Sequence, residues 1–179
     1  KKVLLPDLKA GCSLADSCPP HLFRKFKEKY PDHIVVSYIN CTAELKTLTD
    51  ICCTSTNAMH VINSIPEDQK IIFAPDINLG KYLVKKTGRD MVLWNGSCMV
   101  HEIFSLEKIT KLKERHPKAK FIAHPECEPH ILEMADFIGS TTGLLKYTIS
   151  DSAEEYIVAT EAGILHQMEL KSPHKKFYP

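Results

Sequence analysis

The sequence predicts an α/β protein made of repeated three-layer α/β/α units with parallel sheets. Short apolar runs recur along the 179 residues, helix-like segments lie between them, and the pattern repeats with an offset of 86 residues. Apolar strands that alternate with helices are typical of a parallel sheet that is covered on both faces. If such units are arranged around a rotation axis, equivalent residues converge on that axis.

Eight short runs are predicted to be strands because they are rich in apolar and β-branched residues and are bounded by turn residues. They are VLL at 3–5, IVVSY at 34–38, DICCT at 50–54, KIIFA at 70–74, MVLW at 91–94, KFIAH at 120–124, DFIG at 136–139 and YIVAT at 156–160.

Two helices can be delimited by their flanking residues. The segment LFRKFKEKY at 22–30 follows two prolines and stops before Pro31, as a helix with proline at its start and just past its end would do. The segment LEKITKLKERH at 106–116 follows Ser105, a residue type favoured at the N-cap, and stops before another proline. These two helices occupy equivalent places in the repeat.

The repeat keeps one register over most of a unit. It relates Cys12 to Cys98 and Asp50 to Asp136 at an offset of 86, whereas IIFAPD at 71–76 matches YIVATE at 156–161 at 85. One deletion accounts for the change.

The repeat divides the chain into three parts. We predict the tail of a first α/β domain over 1–15, a second domain over 16–101, and a third over 102–179 that is incomplete at its C-terminal end. Extending the period places a counterpart of Cys12 and Cys98 near position 184, past the end of this chain.

The composition excludes several functional classes. The 23 Lys and Arg residues balance 22 Asp and Glu residues, so no basic field would attract nucleic acid or an anionic membrane surface. The apolar run before Pro6 is too short for a signal peptide or a membrane span, and we expect a cytoplasmic protein. Seven cysteines, two of them adjacent, argue against a secreted disulfide framework.

Polar residues that follow the predicted strands are the candidate site. In a parallel α/β sheet, ligands bind outside the carboxyl ends of the strands. The residues concerned are Tyr38, Asn40, Thr54, Ser55, His124, Glu126, Ser140 and Thr141. Cys12 and Cys98 also follow strands, and one cysteine from each of three units would form a ring of three thiolates. Such a ring suits an iron–sulfur cluster with one open iron.

Seven segments in order along the chain resemble the quinolinate synthase family. They are AGCSLADSC at 10–18, SYINCTAE at 37–44, TSTNA at 54–58, FAPDINLGKYL at 73–83, WNGSCMVHE at 94–102, HPEC at 124–127 and GSTTGLL at 139–145. The resemblance implies three similar α/β domains, arranged around a pseudo-threefold axis in the complete protein, and a [4Fe-4S] cluster that is held by one cysteine from each domain. It makes Cys12 and Cys98 the first two ligands and places the third beyond residue 179.

The resemblance also implies the residues of the site. Those that would contact substrate are Tyr38, Ile39, Asn40, Ser55, His124, Pro125, Glu126 and Thr141. Of these, Tyr38, His124 and Glu126 are the catalytic candidates because they can transfer protons. The family's N-terminal region, with its own catalytic His and Tyr, has no counterpart in this sequence. We therefore expect the chain alone to be inactive.

The activity implied by the resemblance is a condensation in NAD biosynthesis. Iminoaspartate and dihydroxyacetone phosphate would be the substrates, quinolinate the product, and an L-aspartate oxidase or dehydrogenase the pathway neighbour that makes iminoaspartate. Two alternatives remain open from the residues alone: a non-catalytic module that binds a small dicarboxylate or phosphate, and a zinc hydrolase. The zinc ligands would be Cys98, His101, His124 and Cys127. The other cysteines, at positions 18, 41, 52 and 53, and Cys127 in the leading hypothesis, are interpreted as packing residues.

Overall fold

The computed structural model describes residues 2–4, 6–7 and 10–179, and in that part of the chain it has two parallel sheets of four strands each. The first contains β1 (His33–Tyr38), β2 (Ile51–Cys53), β3 (Lys70–Ala74) and β4 (Val92–Leu93), in the order β2-β1-β3-β4. The second contains β5 (Lys120–Ala123), β6 (Phe137–Ile138), β7 (Glu155–Ala159) and β8 (Lys176–Tyr178), in the order β6-β5-β7-β8. The two sheets therefore share one topology, which confirms the predicted repetition of parallel α/β units.

Helices connect the strands on both sides of each sheet. Those that precede or accompany the first sheet are α1 (Ser13–Asp16), α2 (Pro20–Lys27), α3 (Ala43–Lys46), α4 (Ala58–Ser64), α5 (Ile77–Thr87) and α6 (Met99–Glu102). Those of the second sheet are α7 (Leu106–Arg115), α8 (Pro129–Leu132), α9 (Thr141–Ser150) and α10 (Gly163–Lys171). The two helices predicted from their flanking prolines and serine are α2 and α7.

Strand register follows the sequence repeat. Val36 pairs with Ile51 in the first sheet and Ile122 pairs with Phe137 in the second, so both partners shift by 86 residues. The pairing of β1 with β3 differs from this. Its β1 residues recur at an offset of 86, but its β3 residues recur at an offset of 85.

One residue pair from each sheet shows this difference of one residue. Ile34 is opposite Ile71 in the first sheet, and Lys120 is opposite Tyr156 in the second. The shift is 86 on one strand and 85 on the other, so the deletion inferred from the sequence lies between these strands.

An aspartate fixes the start of the strand pair in each sheet. Oδ2 of Asp50 accepts a hydrogen bond of 2.7 Å from the amide of Val35, and Oδ2 of Asp136 accepts one of 2.7 Å from the equivalent amide. Lys27 and Lys113, from equivalent helices, lie 3.9 Å from these two carboxylates. The repeat therefore preserves side-chain interactions as well as backbone topology.

Both faces of each sheet are covered by apolar side chains. Adjacent residues of β1 point to opposite faces, so Val36 belongs to one buried cluster and Val35 to another. The same holds for Phe121 and Ile122 of β5. These paired cores are what a three-layer α/β/α arrangement requires, and they confirm the predicted fold class.

Parts of the prediction differ from the structure. Val3 and Leu4 are exposed and outside any strand, and Leu5 lies outside the described residues, so the strand predicted over 3–5 is not found where the structure describes the chain. Strand β8 was not predicted because its segment is rich in lysine. The pseudo-threefold axis and the domain boundaries stay predictions. None of the described helices is long and apolar enough to cross a membrane.

Candidate active site

The carboxyl ends of β1 and β5 place the predicted site residues. Tyr38 is the last residue of β1 and is 6% exposed, and His124 directly follows β5 and is 2% exposed. Glu126, two residues further on, is also 2% exposed. A buried glutamate needs compensating partners, since an isolated buried carboxylate is strongly destabilising. Its surroundings therefore define the site.

Three polar side chains surround the carboxylate of Glu126. Its Oε2 lies 3.0 Å from Nδ1 of His101, its Oε1 lies 3.8 Å from Nδ1 of His124, and the Tyr38 hydroxyl also interacts with the carboxylate. Burial opposes ionisation of Glu126, but contacts with His101, His124 and Tyr38 lower its pKa below the usual value. We therefore describe Glu126 as an ionised acceptor at neutral pH.

His124 is held in a defined tautomer. Its Nδ1 accepts a hydrogen bond of 3.3 Å from the backbone amide of Glu126, so the neutral ring carries its proton on Nε2. Burial lowers the pKa of His124 to about 4, and the nearby Glu126 carboxylate only partly opposes this effect. The imidazole is accordingly neutral at physiological pH and able to exchange a proton.

His101 lies between His124 and Cys98, the cysteine at the start of α6. Its ring stacks on that of His124 with 4.8 Å between centroids, and Nε2 lies 3.2 Å from Oγ1 of Thr160. Burial lowers the pKa of His101, but interactions with Cys98 and Glu126 outweigh it and raise the pKa to about 9. His101 thus provides positive charge beside the Glu126 carboxylate.

Tyr38 presents its hydroxyl between the two strand ends. The side-chain amide of Asn40 donates to that hydroxyl at 3.2 Å, and the Ser55 side chain lies nearby. Burial and the Glu126 carboxylate raise the pKa of Tyr38 above its usual value, so the phenol stays protonated and can donate.

Several buried polar atoms of the site lack aligned hydrogen-bond partners within the described part of the chain. They are Nδ1 of His101, Oε1 of Glu126 and Oδ2 of Asp76. The 3.0 Å contact between His101 and Glu126 brings opposite charges together, although its angle lies outside hydrogen-bond geometry. Buried polar atoms are nearly always satisfied in folded proteins, so these atoms indicate a place for bound polar molecules.

Asp76 belongs to this group of unsatisfied residues. It caps α5, where its Oδ1 accepts from the amide of Leu79 at 2.7 Å, and its other oxygen remains unpaired. Burial and the charge of Glu126 raise the pKa of Asp76 to about 7.

The two predicted cluster cysteines occupy equivalent places. Cys12 is the N-cap of α1 and Cys98 is the N-cap of α6, both with extended backbone and neither with a side-chain cap bond. Ser13 Oγ accepts a hydrogen bond of 3.3 Å from the amide of Met99, which brings the residues following each cysteine together. Cys12 is exposed and Cys98 is 9% exposed. Two free thiols at equivalent helix N-caps, neither of which hydrogen-bonds to its helix, fit two ligand positions of an iron–sulfur cluster.

One group of potential ligands is found among the described residues. Sulfur of Cys98, nitrogen of His101 and oxygen of Glu126 lie within 4.8 Å of one another. The zinc set considered from the sequence is not assembled in this way, because His124 and Cys127 are outside the group. Cys127 is buried and its thiol instead donates to the carbonyl oxygen of Ala159 at 3.5 Å.

The other predicted substrate contacts lie around this buried centre. Ile39 is 40% exposed and Asn40 is exposed, whereas Pro125 is buried beside His124. Ser55 is half-buried after β2, and Thr141 is exposed at the start of α9. Their serine- and threonine-rich loops meet where Thr56 Oγ1 donates to Ser140 Oγ at 3.0 Å. The two sheets thus contribute to a single rim.

Three buried residues near the centre were outside the predicted site. Asp76 follows β3 and Thr160 follows β7, so the strand-end rule would have selected both. His101 was named only as a ligand in the zinc alternative, and its sequence position gives no sign of the stack with His124. As for the cysteines interpreted as packing residues, four are buried, but Cys52 is exposed.

Comparison with known proteins identifies the family. The family model described as "Quinolinate synthetase A protein" matches residues 1–179. The chain is 63% identical to a quinolinate synthase of Gloeothece citriformis and 62% identical to those of Chloroherpeton thalassium and Synechocystis sp.. All of the chain is covered, along with 55%, 56% and 56% of these relatives, so the chain spans about half their length. The chain belongs to the quinolinate synthase family.

Proposed function

We propose that the full-length protein is a quinolinate synthase that condenses iminoaspartate with dihydroxyacetone phosphate. The observation that carries this proposal is the buried group of Tyr38, His124 and Glu126 at the joined strand ends, next to two free cysteines. Family membership supports the same reaction.

The three catalytic candidates differ in what they can do with a proton. Tyr38 is a phenol that donates, Glu126 is a carboxylate that accepts, and His124 is a neutral imidazole that carries its proton on Nε2. Formation of the pyridine ring from these substrates requires loss of water and phosphate together with proton shifts. Positioned acids and bases typically accelerate such steps by about 10² to 10⁴.

Cys12 and Cys98 would hold two irons of a [4Fe-4S] cluster, and a third cysteine would come from beyond residue 179. Such a cluster, with one iron open, supplies a Lewis acid that polarises a substrate oxygen or nitrogen. The residues of this chain bind and orient the substrate beside it.

The remaining rim residues are proposed to bind substrate. Asn40 holds the Tyr38 hydroxyl and exposes the rest of its amide, while Ser55 and Thr141 present hydroxyl groups from facing loops. These neutral donors suit the carboxylates and phosphate of the two substrates. Ile39 and Pro125 would contact the carbon skeleton.

The pathway implies where one substrate comes from. Iminoaspartate is an unstable product of aspartate oxidation, so an L-aspartate oxidase or dehydrogenase is the proposed neighbour. The proposed domains are 1–15, 16–101 and 102–179, with cluster ligands shared among three domains. For this reason we expect the chain alone to form no quinolinate.

The test is quinolinate formation by the anaerobically prepared full-length protein with its cluster reconstituted. Iron and acid-labile sulfide should accompany activity, and the chain of 179 residues under the same conditions should be inactive. A colourless full-length protein that binds dicarboxylate without turnover would support the non-catalytic module instead. A protein loaded with zinc would point to the hydrolase.

A further inference from the structure

An apolar groove lies between α7 and the second sheet. It encloses about 500 Å³, and its apolar lining includes Phe104, Ile109, Leu112, Phe121, Ile157 and Ala159. We call this cavity the α7 groove. Val100 and Ile103 at its rim are 38% and 68% exposed. Exposed apolar surface of this kind usually marks a place where another element or molecule binds.

The equivalent space in the first half is filled. There, Trp94 lies between α2 and the first sheet, with its ring 5.5 Å from Phe23 and 5.2 Å from Phe26, both in edge-on geometry. Its indole Nε1 donates to the carbonyl oxygen of Ser17 at 3.0 Å. Trp94 therefore closes the apolar layer on that face of the sheet.

The walls of the two spaces correspond residue by residue. Ile109 and Leu112 of the α7 groove are the counterparts of Phe23 and Phe26 at the offset of 86. The sheet side corresponds in the same way, and its pairs are Phe121 with Val35, Ile157 with Ile72, and Ala159 with Ala74. The α7 groove is thus the second-half equivalent of the space that Trp94 fills in the first half.

Strand register identifies which residue would take the place of Trp94. Ile72 pairs with Val92 in the first sheet, and Ile157 pairs with Tyr178 in the second, so Tyr178 is the counterpart of Val92. The counterpart of Trp94 would then directly follow Pro179, which itself lines the groove. The chain covers 55% and 56% of two curated relatives, so these relatives are nearly twice as long as this chain.

We propose that the α7 groove is the docking site for an apolar segment that continues β8 in the full-length protein. The segment occupies the place that Trp94 takes in the first half. This inference uses the sheet register and the groove lining, and it does not depend on the proposed reaction.

Docking would also reach the candidate active site. Thr160 lines the α7 groove and holds Nε2 of His101 at 3.2 Å. Both residues are buried, so a segment seated in the groove would pack beside the Thr160–His101 contact.

Photo-crosslinking in the full-length protein tests the occupant directly. We would replace Leu112, which lines the groove, with p-benzoylphenylalanine, and make the same replacement at Glu114, which is exposed on the same helix. Irradiation followed by peptide mass spectrometry should link position 112 to the peptide that directly follows Pro179 in the same chain. Links to a second copy or to another protein, or none above the Glu114 control, would overturn the proposal.

Thermal unfolding gives an independent measurement that does not need the photoreactive residue. In the full-length protein, Ile103→Ser should lower Tm by several degrees, because Ile103 is 68% exposed here and has apolar contacts to lose only if the segment covers it. Glu114→Ser should leave Tm nearly unchanged. Equal Tm values for the two variants would show that the α7 groove stays open, and would overturn the proposal.

Discussion

The two halves of the molecule share a framework but differ at their strand ends. The aspartate that accepts from a β-strand amide and the lysine beside it recur as Asp50 with Lys27 and as Asp136 with Lys113, at the same distances. The residues that directly follow β1 and β5 do not recur. What the repeat conserves therefore builds the sheets and places the two cysteines, and what it changes builds the buried proton-transfer group.

Because of these differences at the strand ends, the two halves contribute different functional groups to the site. Tyr38 and Asn40 of the first half are matched by His124 and Glu126 of the second, at the offset of 86. The first pair is neutral and donates hydrogen bonds, while the second pair contains the carboxylate and the imidazole. His101 similarly replaces a small residue of the first half. The first half thus provides neutral hydrogen-bond donors, and the second provides the ionisable carboxylate and imidazole.

The largest expected effect tests where the two halves remain alike, at the cysteines that cap α1 and α6. In the full-length protein, Cys12→Ala or Cys98→Ala should abolish bound iron, because a methyl group cannot ligate it. Cys18→Ala and Cys53→Ala are matched controls, since these buried thiols only pack. Iron and sulfide analysis of the four variants checks the assignment, and equal iron in all of them would contradict it.

The next effect concerns the carboxylate that the first half lacks. Glu126→Gln in the full-length enzyme should lower kcat by about 10² to 10⁴, because it removes a buried proton acceptor while keeping the side-chain shape. Glu128→Gln is the control, because Glu128 is partly exposed and only 3.7 Å from His130 at the surface. Steady-state quinolinate formation measures both. Unchanged kcat in Glu126→Gln would remove Glu126 from the proposed catalytic group.

The sequence predicted the features that depend on local interactions, and it missed those that depend on contacts between distant residues. The strands, the helices α2 and α7 and the slip from 86 to 85 were readable because hydrophobic runs and flanking prolines are local signals. The stack of His101 on His124 joins residues from α6 and the end of β5, and no local pattern encodes it. Strand β8 was missed because its lysines mask the strand signal.

The strand-end rule and the family resemblance selected the same three buried residues of the candidate site. Tyr38, His124 and Glu126 were selected because they follow strands, and the structure brings them together in one buried group. Asp76 and Thr160 follow strands as well, so a consistent application of the rule would have added them. Their catalytic and binding roles stay predictions.

A smaller effect tests whether the two aspartate clamps are energetically equivalent. In the full-length protein, Asp50→Asn and Asp136→Asn should each lower the free energy of unfolding by about 1 kcal/mol, because each weakens one hydrogen bond to a strand amide. Urea titrations of the two variants check this. A loss in only one of them would show that the halves share geometry but not stability.

The smallest expected effect belongs to the second half alone, where Lys120 and the Tyr156 hydroxyl both hydrogen-bond to Asp151. The hydrogen bond from Lys120, followed by that from Tyr156, lowers the pKa of Asp151 from 3.8 to about 2, against the effect of burial. A carboxyl whose folded pKa lies below its unfolded value stabilises the fold above the unfolded pKa and loses that contribution as pH falls towards the folded pKa. The wild-type protein should therefore lose this part of its stability between about pH 4 and pH 2.

Asp151→Asn should be less stable at neutral pH, and its stability should depend less steeply on pH over that window. Urea unfolding at a series of acidic pH values measures both quantities, with Glu154→Gln as the control because Glu154 is exposed on the neighbouring loop. Parallel pH profiles for wild type and Asp151→Asn would show that Asp151 does not couple folding of the second half to pH.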